Sequence, residues 1–176
     1  MVANTGTLVT FAYGSNMLTS RVRKRCPSAT ALGIAELHGY ELRWHKRSRD
    51  GSGKCNVVQT NETAVVYGVL YEIPVGEKQA IDKAEGLGNG YEEQNAEVAF
   101  KGAPRMAVIY YATDIDPSLR PYTWYKAFVV AGAKEHNLPE KYIERLVATD
   151  AMEDPDRKRH ARNWQLLAAD RSGRLS

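Results

Sequence analysis

The stretch TLVTFAYGSN, residues 7–16, changes character partway along. Its first half alternates and is rich in β-branched side chains, the pattern of a largely buried β-strand. It then ends in Tyr13, Gly14, Ser15 and Asn16: an aromatic ring, the least restricted residue and two short polar side chains. A core strand that stops on Gly-Ser-Asn can turn sharply, and its glycine lets another group approach the main chain closely. Successive N–H groups in such a turn can converge into an anion-binding concavity. The helix expected from Leu18 onward adds the unpaired amides and favourable field of its N-terminus. The same residues also suit a plain turn in which Ser15 or Asn16 caps that helix. Local sequence leaves both readings open.

Outward from this stretch, strands come first and helices close the chain. LTSRVRKRC (18–26) reads as a short helix stopped by Pro27. Residues 29–44, with Gly33 and Gly39 inside them, read as a bent strand or a strand pair. HKRSRDGSGKCN (45–56) is polar and glycine-rich, which predicts a mobile loop. Residues 57–74 read as a hairpin with TNET near its turn, and GEKQAIDKAEG (76–86) as a helix with Gly86 as its stop. YEEQNAEVAF (91–100) and RMAVIYYAT (105–113) are two more strands, joined by KGAP. Helices follow at 122–137 and at 139–151, where Pro139 takes a first-turn position; 154–170 reads as a last helix or a tail. This order predicts an α+β fold, not an alternating βαβ sheet. Short curved strands with interior glycines suit a small mixed β-barrel with flanking helices.

The bulk numbers agree with one globular domain over residues 1–176. Hydrophobic residues make up 43% and charged residues 26%, ordinary values that argue against disorder. The opening MVANTGTLVTF has neither a basic start nor a long apolar run, so no signal peptide is expected. No stretch approaches the roughly 20 apolar residues of a membrane span. Cys26 and Cys55 show no metal or redox spacing, so a cytosolic protein with reduced thiols and no metal is the expectation. Basic residues cluster at 21–25, 45–49 and 157–162, yet 21 carboxylates nearly balance the 24 lysines and arginines. No aromatic residues interleave with them in a nucleic-acid motif, so they read as solvated faces and no nucleic-acid partner is expected.

A second irregularity lies in AIDKAEGLGNGYEE. Glu85 sits at the C-terminal end of its helix, where the macrodipole disfavours a carboxylate. It follows Ile81 by four residues and so borders the apolar face, with Asp82 a further negative charge three residues before it. Burial and a helix C-terminus both push a carboxyl pKa upward, towards the range of a general base. An exposed glutamate at a frayed helix end would give the same local sequence.

Taken together, FAYGSNMLTSRVRKRCPSA, IDKAEGLGNGYEE and YKAFVVAGAKEHNLPEKYIERL resemble the γ-glutamylcyclotransferase family, in its order and over about Leu8 to Asp150. The resemblance implies a barrel-like α+β domain with a cavity at one end. It implies that Glu85 is the catalytic glutamate and that Phe11, Ala12, Tyr13, Gly14, Ser15 and Asn16 form the loop holding a γ-glutamyl group. Tyr125 matches a tyrosine lining the substrate site. Tyr91 falls where another aromatic flanks it, although core packing is the plainer role for that ring. The implied reaction turns a γ-glutamyl amide into 5-oxoproline and a free amine by attack of the substrate's own α-amine, with no cofactor and a small γ-glutamyl molecule as substrate. A homodimer is among the arrangements the family implies. The same scaffold could instead serve γ-glutamyl amines, a γ-glutamyl-protected intermediate or simple binding.

The chain departs from the family pattern in places. Met17 stands for the usual leucine, and neither 45–56 nor the part after Asp150 matches well. Asn16 and the C-terminal helices argue against the glutathione-specific branch, which usually has leucine after Tyr-Gly-Ser.

Overall fold

In the computed structural model, which describes residues 6–172, β1 (Thr7–Ala12) lies inside a closed five-stranded barrel. Its partners are β5 (Val65–Pro74), β2 (Thr30–His38), β6 (Tyr91–Phe100) and β7 (Ala103–Ala112), in the order β1-β5-β2-β6-β7. Every neighbouring pair is antiparallel except the one that closes the ring, where β1 runs parallel to β7 with Thr10 opposite Val108. The expected α+β class and small barrel are both present. The buried core includes side chains such as Phe11, Leu37, Val66, Val69, Leu70, Ile73, Val98 and Ile109.

Two glycines let the strands curve and close. β2 shifts register between Ala31 and Gly33, and Gly33 takes φ +137°, a bulge that bends the strand. At Gly68 on β5, a Cβ would lie 2.5 Å from the Ala12 carbonyl and 2.6 Å from the Phe11 ring, so only glycine allows Phe11 to fill the barrel there. Between β6 and β7 the connection is two residues, Lys101 and Gly102, both with positive φ, which is the turn that continues the strand twist.

The parallel closure decides what meets at the barrel mouth. Because β1 and β7 run the same way, their C-terminal ends emerge together. β6 is antiparallel to β7 and brings Tyr91, its first residue, opposite Ala112 at the same end. The turn after β1 therefore lies beside the end of β7 and the start of β6.

Three expectations are corrected. Residues 45–56 are not a loop: β3 (Tyr40–Arg47) and β4 (Gly53–Gln59) form a two-stranded antiparallel sheet, leaving only 48–52 as the turn. Polar side chains do not prevent a backbone ladder, and here they are satisfied locally. Lys54 pairs with Asp50 at 2.8 Å, and Ser52 donates to the same carboxylate at 2.7 Å. Residues 57–74 are not a hairpin either, because β4 pairs with β3 whereas β5 enters the barrel. The strand pair at 29–44 divides between two sheets at Gly39, whose φ of +79° breaks the run.

Helices α1 (Thr19–Arg23) and α2 (Lys78–Glu85) are short, and α2 stops as expected on Gly86 at φ +76°. α3 (Thr123–Glu135), α4 (Glu140–Ala148) and α5 (Arg157–Ser172) form the flanking layer, so residues 157–172 are helix and not tail. None of the helices among the described residues is long and apolar enough to cross a membrane. α3 fixes the turn after β1, for a Cβ on Gly132 would come within 2.6 Å of the Leu18 nitrogen and 2.7 Å of the Met17 Cβ. Gly132→Ala should therefore destabilise the protein by about 1–3 kcal/mol through overpacking. Gly76→Ala, with nothing within 4 Å of the new methyl, should change it by less than about 0.5 kcal/mol. Urea denaturation compares the two, and equal midpoints would contradict the close contact between α3 and the turn.

Candidate active site

The turn after β1 is a single 3-10 turn, Ser15–Met17, with the Met17 N–H donating to the Gly14 carbonyl at 3.0 Å. Neither Ser15 nor Asn16 caps a helix. Both side chains are employed elsewhere, which removes the capping reading. The Ser15 hydroxyl accepts from Arg21 Nε at 3.1 Å, and the Asn16 amide bridges two charged groups. Gly14 has φ −115°, so left-handed backbone is not what it supplies. A side chain there would crowd the Cys55 Cβ at 3.1 Å and the Tyr125 hydroxyl at 3.2 Å. The N–H groups of Gly14, Ser15 and Asn16 have no acceptor among the described residues, so the turn presents three donors.

Glu85, the last residue of α2, faces this turn. Asn16 Nδ2 donates to Glu85 Oε1, while Arg25 Nη1 donates to Asn16 Oδ1 at 2.5 Å. A guanidinium can only donate, so it draws the amide oxygen to itself and leaves the NH₂ for the carboxylate. The result is a chain of hydrogen bonds from Arg25 through Asn16 to Glu85. Glu85 is partly exposed as a residue, yet its carboxyl is sunk among the cavity side chains. That desolvation raises its pKa above the usual 4.5 and outweighs the opposing pull of Arg25, Arg21, the Asn16 hydrogen bond and Lys46.

The cavity these groups enclose has a volume of about 40 Å³ and is lined by residues 11–16, Cys55, Glu85, Tyr91, Tyr110 and Tyr125. All eight residues proposed for the loop and its aromatic flank therefore share one cavity with Glu85. β4 builds its far wall through an irregularity. Arg43 pairs with Asn56 and Lys46 with Lys54, so Trp44 and His45 oppose Cys55 alone, a bulge that leaves Cys55 outside the ladder. Two tyrosines take up its free peptide groups: the Cys55 N–H donates to the Tyr125 hydroxyl at 3.2 Å, and the Tyr91 hydroxyl donates to the Cys55 carbonyl at 2.5 Å. Tyr91 thus packs in the core and lines the cavity at once, at 7% exposure. The Tyr13 hydroxyl donates to the Tyr110 carbonyl, tying the β1 turn to β7.

Sequence reasoning missed four members of this arrangement. Tyr110 sits in a strand that alternates only loosely, and nothing local marks it; its hydroxyl donates to Asp82 at 2.6 Å. Arg21 and Arg25 lie in a basic run that read as a solvated face, although Arg21 lies over the Phe128 ring at 4.6 Å. Burial lowers the Arg21 pKa to about 10, which still leaves it charged at neutral pH. The spacing of Cys55 carries neither a metal nor a redox signal. Burial pushes its thiol up to about 12, so it is a neutral, unreactive wall of the cavity. Among the described residues, no group of three or more His, Cys, Asp or Glu side chains converges as a metal site would require.

The geometry has clear relatives. A family model described as the AIG2-like family matches residues 65–146. The human protein named gamma-glutamylcyclotransferase is 30% identical over 145 residues, spanning 80% of this chain and 77% of its own. Its mouse counterpart of the same name is 30% identical over 152 residues, spanning 84% and 81%. A solved structure titled gamma-glutamyl cyclotransferase superposes with a TM-score of 0.78 at 29% identity, covering 83% of this chain and 89% of that one. The chain belongs to the γ-glutamylcyclotransferase family.

The buried carboxyl has a measurable consequence for stability. With its folded pKa above its unfolded one, Glu85 contributes stability that is fully present below about 4.5 and lost as pH rises through the folded value. Glu85→Gln, which keeps the acceptor for Asn16, should therefore be more stable than wild type at pH 7.5. The gap should close as pH falls below 4.5. Urea midpoints across pH provide the check, and a variant less stable than wild type at pH 7.5 would contradict the desolvated carboxyl.

Proposed function

We propose that this protein converts a γ-glutamyl amino acid or amide into 5-oxoproline and the free amine, with Glu85 as general base and then general acid. The observation that carries this reading is the desolvated Glu85 carboxyl, raised in pKa and facing three unpartnered amide donors across one small cavity. The reaction needs no enzyme nucleophile, because the substrate contains its own. Its α-amine attacks its γ-carbonyl and closes a five-membered ring, and the C–N bond to the departing amine breaks.

The proton balance is simple. Two protons leave the α-nitrogen. Glu85 takes the first from the α-ammonium, which frees the lone pair to attack, and that proton is released to solvent. Glu85 takes the second from the attacking nitrogen once the C–N bond has formed, and returns that one to the departing nitrogen as the tetrahedral centre collapses. A carboxyl with a raised pKa suits both steps better than an ordinary one, since it holds the proton between them. The Gly14, Ser15 and Asn16 amides supply donors for the α-carboxylate or the developing oxyanion. Tyr13, Tyr91 and Tyr125 wall the cavity and hold the chain of the substrate in its folded, cyclising form. Such positioning contributes up to about 7–11 kcal/mol in favourable intramolecular cases.

The test is 5-oxoproline release from a panel of γ-glutamyl amino acids, γ-glutamyl amines and glutathione. Wild type should release it from at least one, and Glu85→Gln should lower kcat by about 10²–10⁴-fold while remaining folded. Near-normal turnover in Glu85→Gln, or no release from any substrate by wild type, would sink the reading.

A further inference from the structure

Outside the cavity, on the other side of Glu85, lies an open groove of about 990 Å³. Glu85 lines both spaces. The inner one, at about 40 Å³, has room for the reacting end of a small molecule and not for a second amino acid. Whatever departs from the γ-carbonyl must therefore extend past Glu85 into the groove.

One feature of that groove lacks an internal explanation. Lys46, the penultimate residue of β3, is 9% exposed yet makes no side-chain hydrogen bond or ion pair among the described residues. A buried ammonium with no carboxylate in direct contact is costly and rare. The carboxylates around it are Asp114, Glu85 and Asp50, and each has a partner of its own: Asp114 pairs with Arg47 at 3.3 Å, Asp50 with Lys54 at 2.8 Å, and Glu85 accepts from Asn16. Its Nζ lies 4.8 Å from the centroid of the Tyr91 ring, which walls the inner cavity, and 3.3 Å from where a Cβ on Gly90 would stand. Gly90, at φ +99°, thus leaves the space the ammonium occupies. The exposed Arg49 and Lys83 add positive charge to the rim.

We infer that Lys46 is a specificity residue: its ammonium, held over Tyr91 at the junction of cavity and groove, receives a carboxylate carried by the departing amine. This rests on the reaction proposed above and adds a preference to it. Substrates whose leaving group bears a carboxylate beside the scissile nitrogen complete an ion pair the protein leaves unfinished. Neutral leaving amines leave Lys46 unpaired, and cationic ones oppose it. The ion pair also persists after ring closure, so the free amino acid is held until it exchanges with solvent through the open groove.

The experiment compares γ-glutamyl-alanine with γ-glutamyl-alanine amide, which differ only in that carboxylate. Wild type should favour the acid in kcat/KM by about 10- to 100-fold, the range of a charge-assisted hydrogen bond in a partly desolvated site. Lys46→Met should lose most of that preference while its rate on the amide changes less than about threefold, and Lys46→Arg should retain it. Binding of both compounds to Glu85→Gln and to Glu85→Gln/Lys46→Met, measured by calorimetry, reads the same preference without turnover. An active wild type whose preference survives Lys46→Met, or equal losses on both substrates, would overturn the role of Lys46. Absence of turnover with a carboxylate preference in binding that depends on Lys46 would count against the reaction and for the subsite.

Discussion

The site depends on one constraint: a carboxyl group kept out of water at the mouth of a barrel. A carboxylate moved to a low-dielectric setting either gains partners or holds its proton more tightly. Here it does part of each. Asn16 gives Glu85 one directed hydrogen bond, and Arg25 orients that amide from behind. Desolvation still prevails, so the carboxyl holds a proton more tightly than an exposed glutamate does. A direct Arg25–Glu85 pair would have the opposite effect and hold the carboxyl ionised. A neutral amide stands between the two charges instead.

That arrangement requires the turn after β1, the end of α2 and the start of β6 to converge, and the topology makes them do so. The parallel β1–β7 pair is the device, since it sends the end of β1 to the side where β6 begins. α3 then presses on the turn at Gly132, and Cys55 on β4, opposite the bulge in β3, receives one hydrogen bond from Tyr91 and donates one to Tyr125. The small second sheet is therefore part of the site, and the residues 48–52 that join its strands lie at the edge of the outer groove through Ser48 and Arg49.

Much of this was legible in the sequence because it rests on local chemistry. The alternation of residues 7–13, the glycine stop after Glu85 and a short KGAP connection between two strands all act within a few residues. Phe11 to Asn16, Tyr91, Tyr125 and Glu85 were read from stretches that resemble one family, and one cavity gathers them. What escaped was non-local. Residues 45–56 are polar, and nothing nearby tells that their backbone pairs across a turn. β4 could pair with β3 or β5 on pattern alone, and the choice follows from the break at Gly39 and the closing of the barrel. Arg21, Arg25 and Lys46 belong to basic runs whose other cations are exposed, so composition hides the three that turn inward.

The most direct measurement is the titration of Glu85 itself. With ¹³Cδ-labelled glutamate, the carboxyl resonance absent from Glu85→Gln can be followed across pH in the folded protein. A midpoint above 4.5 that coincides with the acid limb of kcat/KM is the expected result. A midpoint at or below 4.5 would mean that its partners, and not desolvation, govern the group, and the general acid/base role would fall with it.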